Sequence, residues 1–196
     1  MAKLWLGIFF AVLTWSAINP ADYTIWLLEA FPAILGLLLI LLTYKNFRLT
    51  NLLYILVLAH AIVLMVGAHY TYAEVPLFDW IAEASNGSRN NYDKLGHFMQ
   101  GFSPAILARE ILIRHAVVNG RYWLNFIILS ICLGFSALYE LFEWFVAEIS
   151  DEAGDAFLGS QGYIWDTQSD MGLALLGACI ALLLLSKLHD RQLRCL

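Results

Sequence analysis

Apolar residues run from Leu4 to Leu188 with only short polar breaks, and the breaks recur at intervals that a bilayer would set. A helix needs roughly 17–25 residues to cross about 30 Å of hydrocarbon. Six segments meet or approach that length: 4–18, 23–44, 52–70, 93–115, 122–147 and 167–188. In lipid the backbone must satisfy its own hydrogen bonds, so runs of this length predict helices. The expectation is an all-α polytopic bundle of about six transmembrane helices, a single integral membrane domain over 1–196. The first segment is short and follows Lys3, as a signal-peptide core would. However, Trp15-Ser16-Ala17 puts a bulky residue where a cleavage site needs a small one, so an uncleaved anchor is expected.

Composition removes the alternatives. Of 196 residues 61% are hydrophobic and 14% charged, against about 45–50% and about 25% in soluble domains. A water-soluble globule is excluded, and no stretch remains for a large soluble domain. The net charge of −5 means less than its placement. With the N-terminus inside, nine of the eleven basic residues (Lys3, Lys45, Arg48, Arg109, Arg114, Arg121, Lys187, Arg191, Arg194) are cytoplasmic and only Arg89 and Lys94 lie outside. Basic residues near span ends stay inside, so both N- and C-termini are predicted cytoplasmic. Trp26, Trp80, Trp144, Tyr163 and Trp165 fall where an outer aromatic belt would lie, and Trp5, Tyr44 and Trp123 where an inner one would. Cys132, Cys179 and Cys195 form no CxxC and read as packing or surface residues.

The acids point to the outer face. Fourteen of sixteen lie in outer loops or outer span ends, Glu110 and Asp190 being the exceptions. His69, Asp93, His97, Gln100, Glu140, Glu143, Asp166 and Asp170 share one depth, and three pairs among them (Asp93/His97, Glu140/Glu143, Asp166/Asp170) have spacings that put both members on one helix face. Further along those faces, Gly134 and Gly177 suggest close helix contact. A charged group within a span costs about 2.5–3.5 kcal/mol and is usually paired or functional. Lys94 and Arg89 are too few to balance the carboxylates, so either several acids are protonated or a metal ion supplies positive charge. Mixed imidazole and carboxylate donors suit Zn²⁺, Mn²⁺ or Fe²⁺. The expected metal ligands are drawn from His69, His97, Glu140, Asp166 and Asp170, with Asp93 or Glu143 as the general base for a metal-bound water. The Glu-x-x-His pattern of di-iron bundles, HExxH and a Ser/His/Asp order are all absent.

Other polar residues have simpler readings. His60 lies mid-span and reads as a packing group, with a place on a proton path as the alternative; Glu29 is the other buried acid, and Pro32 after it kinks the second span and leaves a carbonyl for another group. Glu110 and Arg114 form a favourable i, i+4 pair. Glu148, Asp151, Glu152 and Asp155 read as a solvated acidic loop, and 159–162 as a turn folding back over the polar cluster.

Four stretches, 67–76 (GAHYTYAEVP), 92–102 (YDKLGHFMQGF), 136–144 (SALYELFEW) and 157–170 (FLGSQGYIWDTQSD), resemble in order the YjdF-like family of bacterial inner-membrane proteins. The resemblance covers roughly 67 to 178 and includes the residues that burial cost singles out. It implies a multi-pass protein of the bacterial cytoplasmic membrane and brings no biochemical activity with it.

Three functions follow from the residues. The first is a metal-dependent hydrolase at the outer, periplasmic face, acting on a lipid or lipid-linked substrate. The second is a structural or partner subunit whose polar network fixes helix register. The third is a small proton- or cation-coupled transporter, which would need polar residues continued through the midplane. The bilayer is the expected partner, nucleic acid is not, and a homo-oligomer is compatible with the sequence.

Overall fold

The computed structural model describes residues 2–149 and 161–196. Its described residues form seven helices and no strand: α1 (Ala2–Ser16), α2 (Tyr23–Thr43), α3 (Asn51–Tyr70), α4 (Pro76–Ala84), α5 (Tyr92–Arg114), α6 (Arg121–Ile149) and α7 (Asp166–Leu193). The all-helical expectation is met, and each expected span coincides with a helix to within a few residues. Four helices, α2, α3, α6 and α7, are long and apolar enough to cross a membrane. The apolar α1 has only 15 residues. With 23 residues α5 is long enough, about 34 Å at 1.5 Å per residue, but carries Asp93, Lys94, Arg109, Glu110 and Arg114.

The position of α5 explains its polarity. It packs against α3, α6 and α7, so its charges face other helices and not lipid. Contact with α7 is closest where two glycines meet backbone: a Cβ on Gly101 would overlap the Ala174 carbonyl, and one on Gly177 the Phe98 carbonyl. Gly177 therefore acts as its spacing suggests, whereas Gly134 faces open space. The α2 and α1 helices pack against α3.

Local chemistry sets the ends. Asp22 caps α2 by accepting from the Thr24 and Ile25 amides at 2.7 and 2.8 Å. Thr50 caps α3 through Leu53 N at 3.3 Å. At its far end α3 stops with Thr71 and Tyr72 both left-handed, at φ 58° and 54°. Two such non-glycine residues store strain of about 1–3 kcal/mol each. The Tyr72 ring repays it by turning back into the space left by Gly67 and Gly96, where a Cβ on either glycine would strike it. The short α4, which sequence patterning did not reveal, begins with Pro76 and exposes Leu77, Trp80 and Ile81 along one face.

A buried layer that includes Leu53, Leu56, Ile106, Ile128, Cys132 and Ala178 fills the half of the bundle nearer the α3 N-terminus. It separates two polar regions of different character.

Candidate metal centre

The first polar region is built around His97, one turn inside the α5 N-terminus. Its Nε2 lies 3.2 Å from Asp93 Oδ1, and its Nδ1 lies 3.2 Å from Gln100 Oε1 and 3.6 Å from Glu140 Oε1. Two groups of potential ligand atoms, Asp93/His97/Asp170 and His97/Glu140/Glu143, each fall within 4.8 Å of one another. The helical spacings bring these side chains from α5, α6 and α7 to one level, as the sequence implied.

Beside them lies a cavity of about 90 Å³, lined by Glu29, His60, Asp93, His97, Tyr139 and Glu143 among others. It has room for a few water molecules. Its walls hold unpaired polar atoms: Glu29 Oε2 and His60 Nε2 are buried without a hydrogen-bond partner among the described residues, as is Glu140 Oε1 in the neighbouring ligand group. Glu29 itself is only 4% exposed. Such groups cost free energy unless something meets them, so they mark a place where a ligand or water belongs. Prolines add acceptors at this depth. Pro32 and Pro104 lack the N–H that would bond the carbonyls of Leu28 and Gln100, and Gln100 also lines the cavity. Tyr72 closes the outer wall, and burial pushes its phenol well above the usual tyrosine range, so it stays a hydrogen-bond donor.

The expected site residues divide. Asp93, His97, Glu140, Glu143 and Asp170 come together. His69 does not: its Nδ1 is 3.0 Å from the Ser16 carbonyl, and its ring packs on Trp15 and Tyr70. Asp166 lies beside the groups but is occupied, with Oδ1 at 2.6 Å from Arg89 and 2.5 Å from Lys94. Lys94 also reaches Asp170 at 2.7 Å. His60, read from the sequence as a packing group, lines the cavity, and so does the buried acid Glu29. Depth was the available signal, because Glu29 lies about 9 Å below the start of α2 and His97 about 7.5 Å below the start of α5 at 1.5 Å per residue. Of the loop expected to fold over the cluster, Gln161 exchanges two hydrogen bonds with the Asn90 backbone, and Tyr163 packs under Arg89 and Lys94. Gly159 and Ser160 of that turn, and Asp151, Glu152 and Asp155 of the expected acidic loop, lie outside the described residues.

The second polar region, at the opposite end of α5, is fully paired. Glu110 has no exposure and accepts from Thr50 N at 3.1 Å, Thr50 Oγ1 at 2.8 Å, Arg114 at 2.9 Å and His189 Nε2 at 3.0 Å. Arg109 donates to His189 Nδ1 at 3.0 Å and to Asp190 at 2.6 Å. Arginine cannot accept, so His189 must take the Arg donor on Nδ1 and carry its proton on Nε2 towards Glu110. The ring is held from both sides, and the network reads as structural. The expected Glu110–Arg114 pair is part of it.

Fold and site thus define an all-helical integral membrane protein with a water-sized, carboxylate-rich cavity inside one end of its bundle. The chain belongs to the family described as predicted membrane protein (DUF2238), which matches residues 1–191. Inner membrane protein YjdF of Escherichia coli (strain K12) is 48% identical over 183 residues, 93% of this chain and 88% of that protein. No solved structure matches. The resemblance seen in the four motifs is borne out, and the chain is a multi-pass protein of the inner membrane.

Proposed function

We propose that the protein is one integral membrane domain of six spans, both termini cytoplasmic, that holds a divalent cation in the periplasmic half of its bundle and uses it to activate water against a lipid or lipid-linked substrate. The observation that carries this reading is His97, set between Asp93 and the α6 carboxylates beside a cavity that holds the unpartnered Glu29 Oε2. His97 Nδ1, Glu140 and Glu143 are the first choice of ligands. Asp93 on Nε2 would orient the ring as a carboxylate behind a metal-bound histidine does. That moves Asp93 from general base to positioning residue, and leaves Glu29 as the carboxylate nearest in kind to a base, buried and uncommitted. Zn²⁺, Mn²⁺ and Fe²⁺ all suit one imidazole with carboxylates. The bound ion would lower the pKa of its water towards about 7.

The six-span count rests on α5 being shielded by its neighbours, which removes the hydropathy objection to it. The nine basic residues of one side set the orientation. The apolar edge of α4, with Leu77, Trp80 and Ile81, suits a helix lying in the outer leaflet next to the site. A through-path for ions is disfavoured by the apolar layer of Leu53, Leu56, Ile106 and Ile128 between the cavity and the Glu110 network.

Elemental analysis of the purified protein tests the proposal. Near-stoichiometric Zn, Mn or Fe is expected in the wild type and in His69→Ala, and is expected to be lost in His97→Ala and Glu140→Ala. Absence of metal from the wild type, before and after incubation with each ion, would overturn it.

A further inference from the structure

A second cavity lies at the end of the bundle away from the metal centre. Trp5 and Leu6 of α1, Leu37 and Leu41 of α2, and Tyr54 of α3 line an apolar crevice of about 260 Å³. The Trp5 indole donates to the Tyr54 carbonyl at 2.7 Å and fixes one wall. At its mouth the crevice meets a wider hollow of about 410 Å³ bordered by Thr50, Arg191 and Gln192, and Arg48 and Asn51 line both.

The charges around this opening are distinctive. Two arginines nearby are committed, Arg109 to Asp190 at 2.6 Å and Arg114 to Glu110 at 2.9 Å. Of the arginines without a carboxylate partner among the described residues, Arg48 and Arg191 are the two that line the opening, and both are exposed. The Arg48 guanidinium instead lies 5.6 Å over the Tyr44 ring at the crevice mouth. Inside, the Tyr54 hydroxyl is buried close to the Leu49 backbone and has no well-aligned hydrogen-bond partner among the described residues.

We infer that the crevice and hollow together bind one anionic phospholipid. An acyl chain fits the apolar slot between α1, α2 and α3. Its phosphate falls to Arg48 and Arg191, a pairing that suits the planar donors of guanidinium. The Tyr54 hydroxyl is left for an ester carbonyl of the glycerol. Basic pockets between membrane helices recognise anionic headgroups in this way. A zwitterionic headgroup would bring its own cation to the same two arginines, so net negative charge is what the site selects. This site shares no residue with the metal centre and stands whether or not a cation binds there.

Native mass spectrometry of the full chain in detergent, with phosphatidylglycerol or phosphatidylcholine of identical chains added, tests the inference. One phosphatidylglycerol is expected to be retained in preference. Arg48→Ala and Arg191→Ala, both at exposed positions, should each weaken its retention by about fivefold, and Arg48→Lys should recover part of the loss. Leu41→Trp, which fills the slot from an exposed lining position, should weaken retention of any lipid there. Equal retention of the two lipids would overturn the inference. So would phosphatidylglycerol retention unchanged by Leu41→Trp and by loss of both arginines.

Discussion

Replacing Glu110 by alanine removes one acceptor from four donors. Arg114 is partly exposed and can turn to water, with a side-chain exposure of 25%. Thr50 N, Thr50 Oγ1 and His189 Nε2 cannot, because Thr50 and His189 are buried within the bundle. Each buried donor left without a partner costs about 1–3 kcal/mol, and breaking a buried ion pair typically costs about 3–5 kcal/mol in all. Glu140→Gln is the matching change in the other polar region. Its Oε1 has no hydrogen bond, and its charge sits among those of Asp93, Glu143 and Asp170, so neutralising it should leave metal-free stability within about 0.5 kcal/mol or raise it. Thermal unfolding in detergent, followed by tryptophan fluorescence in the presence of a chelator, measures both. The expected Tm falls by about 10 °C or more for Glu110→Ala and is unchanged or higher for Glu140→Gln. Equal destabilisation by the two, or a neutral Glu110→Ala, would refute the division into a structural network and a functional cavity.

Other consequences are simpler to state. Gly177→Val drives side-chain atoms into the Phe98 carbonyl and should destabilise by about 1–3 kcal/mol or more, while Gly134→Val, facing open space, should change Tm little. Gly96→Ala meets the Tyr72 ring at 2.9 Å, so it should displace that ring, open the cavity wall and raise the apparent Kd for added Zn²⁺ or Mn²⁺ in a titration. The assigned orientation requires a cysteine at Ser88 to react with a membrane-impermeant maleimide in intact cells and one at Lys45 to react only after permeabilisation. The reverse pattern would turn the site to the cytoplasm.

Much of the fold is legible because lipid imposes one requirement, satisfied backbone over a fixed length, and α2, α3, α6 and α7 meet it. The helix expected at 93–115 is legible only by allowing polar residues, and packing shows why: α5 is enclosed by α3, α6 and α7. The short α4 was missed because nine residues with one apolar edge give little periodic signal. Within the site, pairs on one helix came out well, since Asp93/His97 and Glu140/Glu143 need only helical spacing. Residues that depend on how helices turn against each other did not. His69 shares a depth with the cluster but faces α1, while Glu29 faces inward from α2. Depth follows from counting, but facing requires the packed bundle. Asp166 shows a third limit: it lies at the right place, yet Arg89 and Lys94 reach it first.

X-ray absorption at the metal edge of the Zn- or Mn-loaded protein tests the metal centre most directly. One imidazole with an otherwise oxygen shell is predicted, and the spectrum should be the same in His69→Ala. Two imidazoles, sulfur in the shell, or a spectrum unaltered by His97→Ala would contradict a cation held by His97 and the α6 carboxylates.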